Sequence, residues 1–388
     1  MTDLETHVAP PRPGALRRAA PALLGYAAAR LLGLLVLAVW SAARGRSAHT
    51  LLTARWDALW YARIAGLGYG HVVRLPNGDV HSDLAFFPLL PWLERLVAAV
   101  TPLSYADAGL TVGLLASLAA AWGVFVVAEL VLGRRAGICA VLLWGVLPVA
   151  VVQSMAYSES LFTALAAWSL YAVLTGRWVT AGALALLSGL TRPVGAAVVA
   201  AVWVAAVTSF VRNRSAGTGD GAQNLRRALG MLLAPLGAAG YVLWVGHRTG
   251  RGPLGYLDVQ AGWRNGFDGG YAFARFVAAR FASFPSALAG LGLVLGVAAV
   301  IWLYVTGARQ RQPLPVLVYS GVVTALALCA SSYFGSKPRL LLPAFPLLFP
   351  LAAALARLRT SRAALVVGGA AAVSAVYGAF WLNGSGPP

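Results

Sequence analysis

The sequence is poor in charged residues, and poorest in acidic ones. Only 11% of its 388 residues are charged, and 12 Asp and Glu stand against 30 Lys and Arg. Soluble domains carry about a quarter charged residues, so this composition excludes an ordinary soluble domain. Lysine is almost absent as well. Because Lys337 is the only one, the net charge of +18 comes from arginine.

Cysteine and histidine are also scarce. The two cysteines, Cys139 and Cys329, both lie in apolar segments, which argues against a disulfide framework. The five histidines show no metal-ligand spacing, so we expect no metal site and no other cofactor. A strong excess of basic residues often indicates nucleic-acid binding. Here the arginines collect in short segments between apolar runs, and we expect no nucleic-acid partner.

What the sequence has in abundance is apolar length. Hydrophobic residues make up 59% of the chain, and the mean hydropathy is +0.74. This predicts an all-α polytopic membrane protein. Spanning helices need about 20 apolar residues each, and the pattern gives eleven segments: 21–43, 109–132, 136–153, 160–175, 178–190, 194–210, 228–246, 285–306, 313–330, 340–356 and 363–382.

The arginine-bearing short connections follow the positive-inside rule and set the predicted topology. Residues 1–20 form a cytoplasmic tail, residues 21–382 a single transmembrane domain, and residues 383–388 an outer tail. The first segment is read as a retained helix, since no cleavage site of small residues follows it. Two large loops, 44–108 and 247–284, then lie on the extracytoplasmic side.

The first outer loop predicts two helices that lie at the membrane interface. Asp57 to Gly66 can form one helix, with Trp56, Trp60, Ile64 and Leu67 along one stripe. Trp and Tyr prefer this depth of the bilayer. A second amphipathic helix follows the prolines of 82–96, and the turn at 75–79 joins the two.

Side chains able to do chemistry collect in the predicted outer segments. Asp57 and Asp83 are the candidate catalytic carboxylates. The candidate substrate-binding residues are Trp56, Trp60, Tyr61, Phe86, Phe87, Glu159 in the predicted outer turn 153–160, Arg192, Lys337 and Arg339.

This combination suits glycosyl transfer from a lipid phosphate. An acceptor hydroxyl must lose its proton as it attacks, and a positioned carboxylate can take it. A prenyl phosphate leaves as an anion, so it needs cations to hold its charge and no acid. Aromatic faces fit the apolar side of a sugar ring.

Each of these residues also has a purely structural interpretation. Asp57 and Asp83 can cap the helices that follow them. Glu159 and Arg192 can form an ion pair between helix ends. Lys337 and Arg339 can anchor a helix by reaching to the interface, and the Trp and Tyr side chains can be interface anchors.

Several blocks resemble the PIG-V family, the second mannosyltransferases of glycosylphosphatidylinositol assembly and their bacterial relatives. The most specific block is 56–69, from Trp-Asp-Ala-Leu-Trp-Tyr to Gly-Tyr, and weaker blocks follow at 85–91, 158–162 and 339–346. The resemblance implies a GT-C membrane fold, an inverting mechanism and a polyprenyl-phosphate-mannose donor. It also implies that Asp57 is the general base. The resemblance does not extend to the acceptor, because most bacteria make no such anchors, and we expect an acceptor that is lipid- or glycan-linked.

The arginine- and alanine-rich composition is typical of bacteria, so we expect a protein of the bacterial plasma membrane with its site outside. Two alternatives stay open. One is a transporter or flippase for a lipid-linked or anionic substrate, although such proteins usually show charges at mid-membrane and related halves. The other is an enzyme of the same fold that transfers a sugar other than mannose.

Overall fold

The computed structural model describes residues 14–217, 220–384 and 386. Eighteen α-helices lie in these described parts of the chain: α1 (Ala15–Ala43), α2 (Ala48–Thr53), α3 (Asp57–Leu67), α4 (Leu89–Val100), α5 (Tyr105–Leu132), α6 (Arg134–Gly145), α7 (Ser158–Leu174), α8 (Trp178–Gly189), α9 (Ala196–Ser215), α10 (Gly221–Leu233), α11 (Leu236–Thr249), α12 (Gly255–Gly262), α13 (Tyr271–Arg280), α14 (Ser286–Arg309), α15 (Leu314–Cys329), α16 (Lys337–Leu341), α17 (Phe349–Arg357) and α18 (Thr360–Leu382).

Short pieces complete the secondary structure. Strands β1 (Val72–Arg74) and β2 (Val80–Ser82) form an antiparallel hairpin, and β3 (Gly266–Phe267) pairs with β4 (Ala330–Ser331). The 3-10 helices are Asp83–Ala85, Ala150–Ser154, Pro193–Gly195, Phe334–Ser336 and Phe345–Leu348.

The predicted multi-pass all-α architecture is confirmed. By length and composition, six helices of the described chain can cross a membrane: Ala15–Ala43, Tyr105–Leu132, Pro193–Ser215, Gly221–Thr249, Ser286–Arg309 and Thr360–Leu382. A pair bent by 76°, Phe334–Leu341 with Phe345–Arg357, forms a further broken span or a re-entrant loop. Helices α7, α8 and α15 are apolar but shorter. All eleven predicted segments therefore contain helix, but not all are long straight spans.

The beginning of α1 differs from the prediction. The helix starts at Ala15 and not near residue 21, so Arg17 and Arg18 belong to its first turn. Arg18 pairs with Glu129, near the end of α5, at 2.6 Å. This pair places the start of α1 and the end of α5 on the same side of the bundle. Residues 1–13 of the predicted tail lie outside the described residues.

The first loop folds into the two predicted helices, α3 and α4, with the β1–β2 hairpin between them. At its tip Leu75 donates its amide to the carbonyl of Asp79 at 2.9 Å, as the Gly- and Pro-containing turn predicts. The predicted apolar stripe is only partly correct. Ile64 is buried, but Leu67 is 80% exposed, because it is the last residue of α3 and lies beyond the helix-to-helix contact.

The third predicted span, 136–153, was wrong in its second half. Helix α6 ends at Gly145, and the chain then runs irregularly through buried positions, so that residues 153–160 are at most 2% exposed. The predicted turn is therefore buried within the protein. Non-helical backbone at membrane depth requires internal partners. Arg30, buried near the middle of α1, supplies them by donating to the carbonyls of Gly145 and Ala150.

Helix α4 places a carboxyl group in the interior. Glu94 is fully buried, and neither of its oxygens has a hydrogen-bond partner among the described residues. A side chain at Gly109 of α5 would overlap this carboxyl group, so the small residue lets the two helices approach. Burial raises the pKa of Glu94 to about 9, and the group is neutral at pH 7.

A buried acid of raised pKa makes stability depend on pH. Its contribution is complete below the unfolded pKa and is lost as the pH rises towards about 9. We expect the thermal midpoint to fall from pH 5 to pH 9, with a loss of up to about 1.4 kcal/mol per pH unit. Glu94→Gln should flatten this slope, whereas Asp258→Asn, on an exposed residue, should leave it unchanged. Equal slopes in the wild type and in Glu94→Gln would contradict the assignment.

Candidate active site

Four charged side chains from distant parts of the sequence form one chain of ion pairs. Arg339 Nη1 lies 2.9 Å from Asp57 Oδ2, and its Nε lies 3.3 Å from Glu159 Oε1. The same Glu159 oxygen lies 2.5 Å from Nη1 of Arg192. Glu159 is 1% exposed, whereas Asp57 is 24% exposed. Asp57 is thus the most accessible member of an otherwise buried cluster with no net charge.

The cations of this cluster keep hydrogen-bonding capacity. Nε and Nη1 of Arg339 are buried and close to carboxylate oxygens, yet neither makes an aligned hydrogen bond to a described residue. Arg192 Nη1 donates to Ser158 Oγ at 3.1 Å. A guanidinium has five N–H donors. Each guanidinium therefore has more N–H donors than these contacts use.

The backbone before α3 directs Asp57 into the cluster. Asp57 is the first residue of the helix, and Trp56 occupies the capping position without a side-chain hydrogen bond. The predicted capping role of Asp57 is therefore wrong. Trp56 has a φ of +50°, in the left-handed region that favours glycine and that costs other residues about 1–3 kcal/mol. Its ring lies against Arg55, whose Cζ is 4.0 Å from the ring centroid.

Tyr61 connects α3 to the start of α7. Its hydroxyl lies 2.8 Å from Ser158 Oγ, which also accepts from Arg192. Burial raises the pKa of Tyr61 far above its ordinary value. The phenol therefore stays protonated and serves as a neutral hydrogen-bonding group.

An aromatic cluster lies beside α3. Trp60 stacks on Phe86 at 5.6 Å and meets Trp263 edge-on at 5.0 Å, while Phe86 also contacts Tyr61 at 5.2 Å. Three of the predicted aromatic residues, Trp60, Tyr61 and Phe86, thus come together. Phe87 does not join them, since it packs against Tyr241 at 4.4 Å in a separate part of the core.

Asp83 lies apart from the ion-pair cluster. It is fully buried, and its Oδ2 accepts hydrogen bonds from the amides of Gly70 and His71 at 2.9 and 2.8 Å. The cap of the following turn is Ser82, which accepts from Leu84. Among the described residues, no ion pair or hydrogen bond joins Asp83 to Asp57. Its contacts hold the hairpin to the end of α3.

Lys337 also points away from Arg339. Its Nζ donates to the carbonyls of Ala327, Leu328 and Ala330 at 2.8, 3.2 and 2.8 Å. These three bonds use all the donors of the ammonium group and close the end of α15. The carbonyl groups of the protein therefore satisfy all three donors of Lys337. Neither a bound phosphate nor the membrane interface is needed to stabilise its charge.

Two further aromatic residues contribute to the site: Tyr157, from the predicted turn 153–160, and Trp263, which sequence reasoning missed. Arg339 lies over the ring of Tyr157, with 5.1 Å from Cζ to the centroid. Trp263, from the second large loop, joins the aromatic cluster and stacks on His81 at 4.0 Å. The one sequence feature that could have indicated Trp263 was a large aromatic side chain in a predicted polar loop. In the described parts of the chain, no three His, Cys, Asp or Glu side chains are grouped for metal binding.

The protein is similar to known proteins in structure but not detectably in sequence. No protein-family model matches the sequence, and no curated protein is significantly similar to it. The apo crystal structure of ArnT from Cupriavidus metallidurans superposes with a TM-score of 0.51, 19% identity, and coverage of 86% of this chain. The structure of ArnT bound to undecaprenyl phosphate gives 0.50, 17% and 85%.

This similarity decides the architecture. The fold is of the GT-C type. The chain spans about 60% of the length of ArnT in either structure. At such low identity the likeness concerns the fold alone.

Proposed function

We propose that this protein is a membrane glycosyltransferase that uses a polyprenyl-phosphate sugar as donor. The observation that carries the proposal is the chain of ion pairs in which Asp57, partly exposed, contacts Arg339 beside Arg192 and Glu159. It combines an accessible carboxylate with two arginines next to an aromatic cluster. The structural similarity to ArnT, solved with undecaprenyl phosphate, supports the same type of donor.

In this mechanism Asp57 is the general base. Its Oδ2 faces Arg339, and its Oδ1 takes the proton of the acceptor hydroxyl. The acceptor oxygen then forms a bond to the anomeric carbon, and the bond from that carbon to the phosphate oxygen breaks with inversion. The prenyl phosphate leaves with the electron pair. Glu159 is unsuited to the role of base, because it is 1% exposed and held by two arginines.

The two arginines are the proposed phosphate ligands. Guanidinium groups bind phosphate oxygens with two parallel bonds, and Arg339 and Arg192 meet at the same Glu159 oxygen. A phosphate that engages Arg339 would weaken its hold on Asp57 and leave that carboxylate freer to accept a proton. Glu159 then acts as the counter-ion that keeps both guanidinium groups in place.

The sugar is proposed to lie against Trp60 and Phe86. Mannose is the proposed sugar, on the basis of the PIG-V-like blocks in the sequence, and the acceptor is a lipid- or glycan-linked hydroxyl. We do not assign a catalytic role to Asp83, which is fully buried, makes no described contact with Asp57 and accepts two backbone amides. We do not assign a phosphate-binding role to Lys337, because its three donors are engaged by carbonyl groups.

A transporter is the less favoured function. The buried Arg30 is a mid-membrane charge of the kind that transporters use, but it donates to two backbone carbonyls at the end of α6 and the turn that follows. Four other charged side chains, Asp57, Glu159, Arg192 and Arg339, form one connected cluster. That distribution fits a site for chemistry better than a path for a substrate.

The role of Asp57 can be tested by Asp57→Asn, which keeps the size of the side chain and removes its charge. Because Trp56 and not Asp57 occupies the capping position, the helix should be unaffected. We expect turnover to fall by about 10²–10⁴-fold, measured as release or transfer of mannose from a polyprenyl-phosphate-mannose donor. Asp258→Asn is the control for loss of one negative charge. Turnover of Asp57→Asn near the wild-type rate would remove Asp57 from the chemistry.

The role of Arg192 as a phosphate ligand can be tested by comparing it with Arg212, at the other end of the same helical segment. Arg192 lies immediately before the segment that leads into α9, and Arg212 is an exposed residue near the end of that helix. Arg192→Lys keeps the charge but loses the two-bond grip, so the donor concentration for half-maximal rate should rise about tenfold. Arg212→Lys should leave that concentration unchanged. Equal effects of the two substitutions would make Arg192 merely structural.

The orientation of the site is a separate proposal, that the α2–α4 region faces the extracytoplasmic side. Single cysteines at Asn77 and Ser215, both exposed, test it in a chain whose Cys139 and Cys329 are replaced by alanine. Position 77 should react with an impermeant maleimide in intact cells, and position 215 only after lysis. The reverse pattern would contradict the proposed orientation and place the chemistry on the cytoplasmic side.

A further inference from the structure

A cavity of about 680 Å³ lies where α1 and α18 end. Arg46, Ser47, Thr50, Arg55 and Asn383 contribute most of its polar lining. None of these residues belongs to the proposed catalytic cluster. The cavity therefore needs an explanation of its own.

The depth of the cavity is fixed by the two helices that end at it. Helices α1 and α18 both have the length and composition of membrane spans, and they end at Ala43 and Leu382. Trp40 and Trp381 lie within one turn of those ends. Trp side chains concentrate at the interface between acyl chains and headgroups. The cavity therefore lies at the depth of the lipid phosphates.

The charge of the cavity is positive. Arg46 and Arg55 each donate one hydrogen bond to α18, to the carbonyls of Asn383 and Leu382 at 2.5 and 3.1 Å. Neither arginine forms an ion pair with any carboxylate of the described residues. The nearest acids in the described sequence are engaged elsewhere, since Asp57 contacts Arg339 and Asp79 contacts Arg264.

Both arginines line the cavity, and most of their N–H donors make no hydrogen bond to a described residue. Each has five N–H donors, of which one is used on α18. The hydroxyls of Ser47 and Thr50 add two further donors at the wall. Guanidinium and hydroxyl groups together are a typical setting for a phosphate.

The surface below the cavity suits acyl chains. Val39 of α1 is 65% exposed, and Phe380 of α18 is 58% exposed. Both lie within about one turn of the helix ends that border the cavity. A ligand with a phosphate at the interface and apolar chains beneath it would contact both regions.

We propose that this cavity binds the headgroup phosphate of an anionic phospholipid. The lipid would place its phosphate between Arg46 and Arg55 and its acyl chains along α1 and α18. This proposal does not depend on the glycosyltransferase function, because it rests on a different set of residues. A free phosphate ion would satisfy the arginines equally well but would make no use of the apolar surface.

Native mass spectrometry of the full-length protein tests the proposal. The protein is released from micelles that contain phosphatidylglycerol, phosphatidylcholine or inorganic phosphate with neutral detergent. We expect retention of phosphatidylglycerol, little phosphatidylcholine and no inorganic phosphate. Arg46→Gln combined with Arg55→Gln should lower phosphatidylglycerol retention about tenfold or more, since each arginine contributes to attraction of an anionic lipid.

Two further variants separate binding from folding. Thr50→Glu puts a negative charge into the cavity and leaves both arginine bonds to α18 intact, so it should also lower retention while the protein stays monodisperse. Arg74→Gln, on the exposed strand β1, should retain phosphatidylglycerol as the wild type does. Unchanged retention in Thr50→Glu and in the double variant would overturn the proposal. Retention of inorganic phosphate without phosphatidylglycerol would assign the cavity to a free anion and overturn it as well.

Discussion

The structure depends on one network of charges at the end of the bundle. Asp57, Glu159, Arg192 and Arg339 come from four segments that are far apart in sequence, and they neutralise one another. Removing one partner from a buried pair leaves an uncompensated charge, at a cost of about 3–5 kcal/mol. The four segments therefore have to dock together before any of these side chains is stable. The geometry of the site is thereby coupled to the packing of the whole bundle.

The irregular segment before α7 follows from the same constraint. For Glu159 to meet both arginines, the chain must enter α7 from the interior. A continuous helix over 136–153 would carry it to the surface instead. Ending α6 at Gly145 frees backbone carbonyls in the interior, and Arg30 binds two of the carbonyls in this region. A buried charge in α1 thus allows a second set of buried charges to form at the site.

Much of the fold could be predicted because apolar length and arginine position are local properties. The eleven apolar segments all contain helix, and the first loop has its two helices and its hairpin turn. The predictions that failed concerned which residues contact each other in the folded protein. The burial of residues 153–160 depends on contacts such as Ala156 with Leu52 and Ser158 with Tyr61. No periodicity reports such contacts. The backbone of Trp56, which makes the residue after it the first of the helix, is equally invisible in the sequence.

Lys337 and Arg339 show where sequence reasoning reaches its limit. Two basic residues two positions apart look equivalent as phosphate ligands. On a helix, however, each residue turns by about 100° about the axis, so the two side chains point in nearly opposite directions. In α16 one therefore faces the ion-pair cluster and the other faces the end of α15. The chemistry of the two side chains matches this division. A compact ammonium with three donors fits three converging carbonyls, whereas a planar guanidinium can contact two carboxylates at once. Exchanging the two residues would leave both places poorly matched, although the local charge would be unchanged.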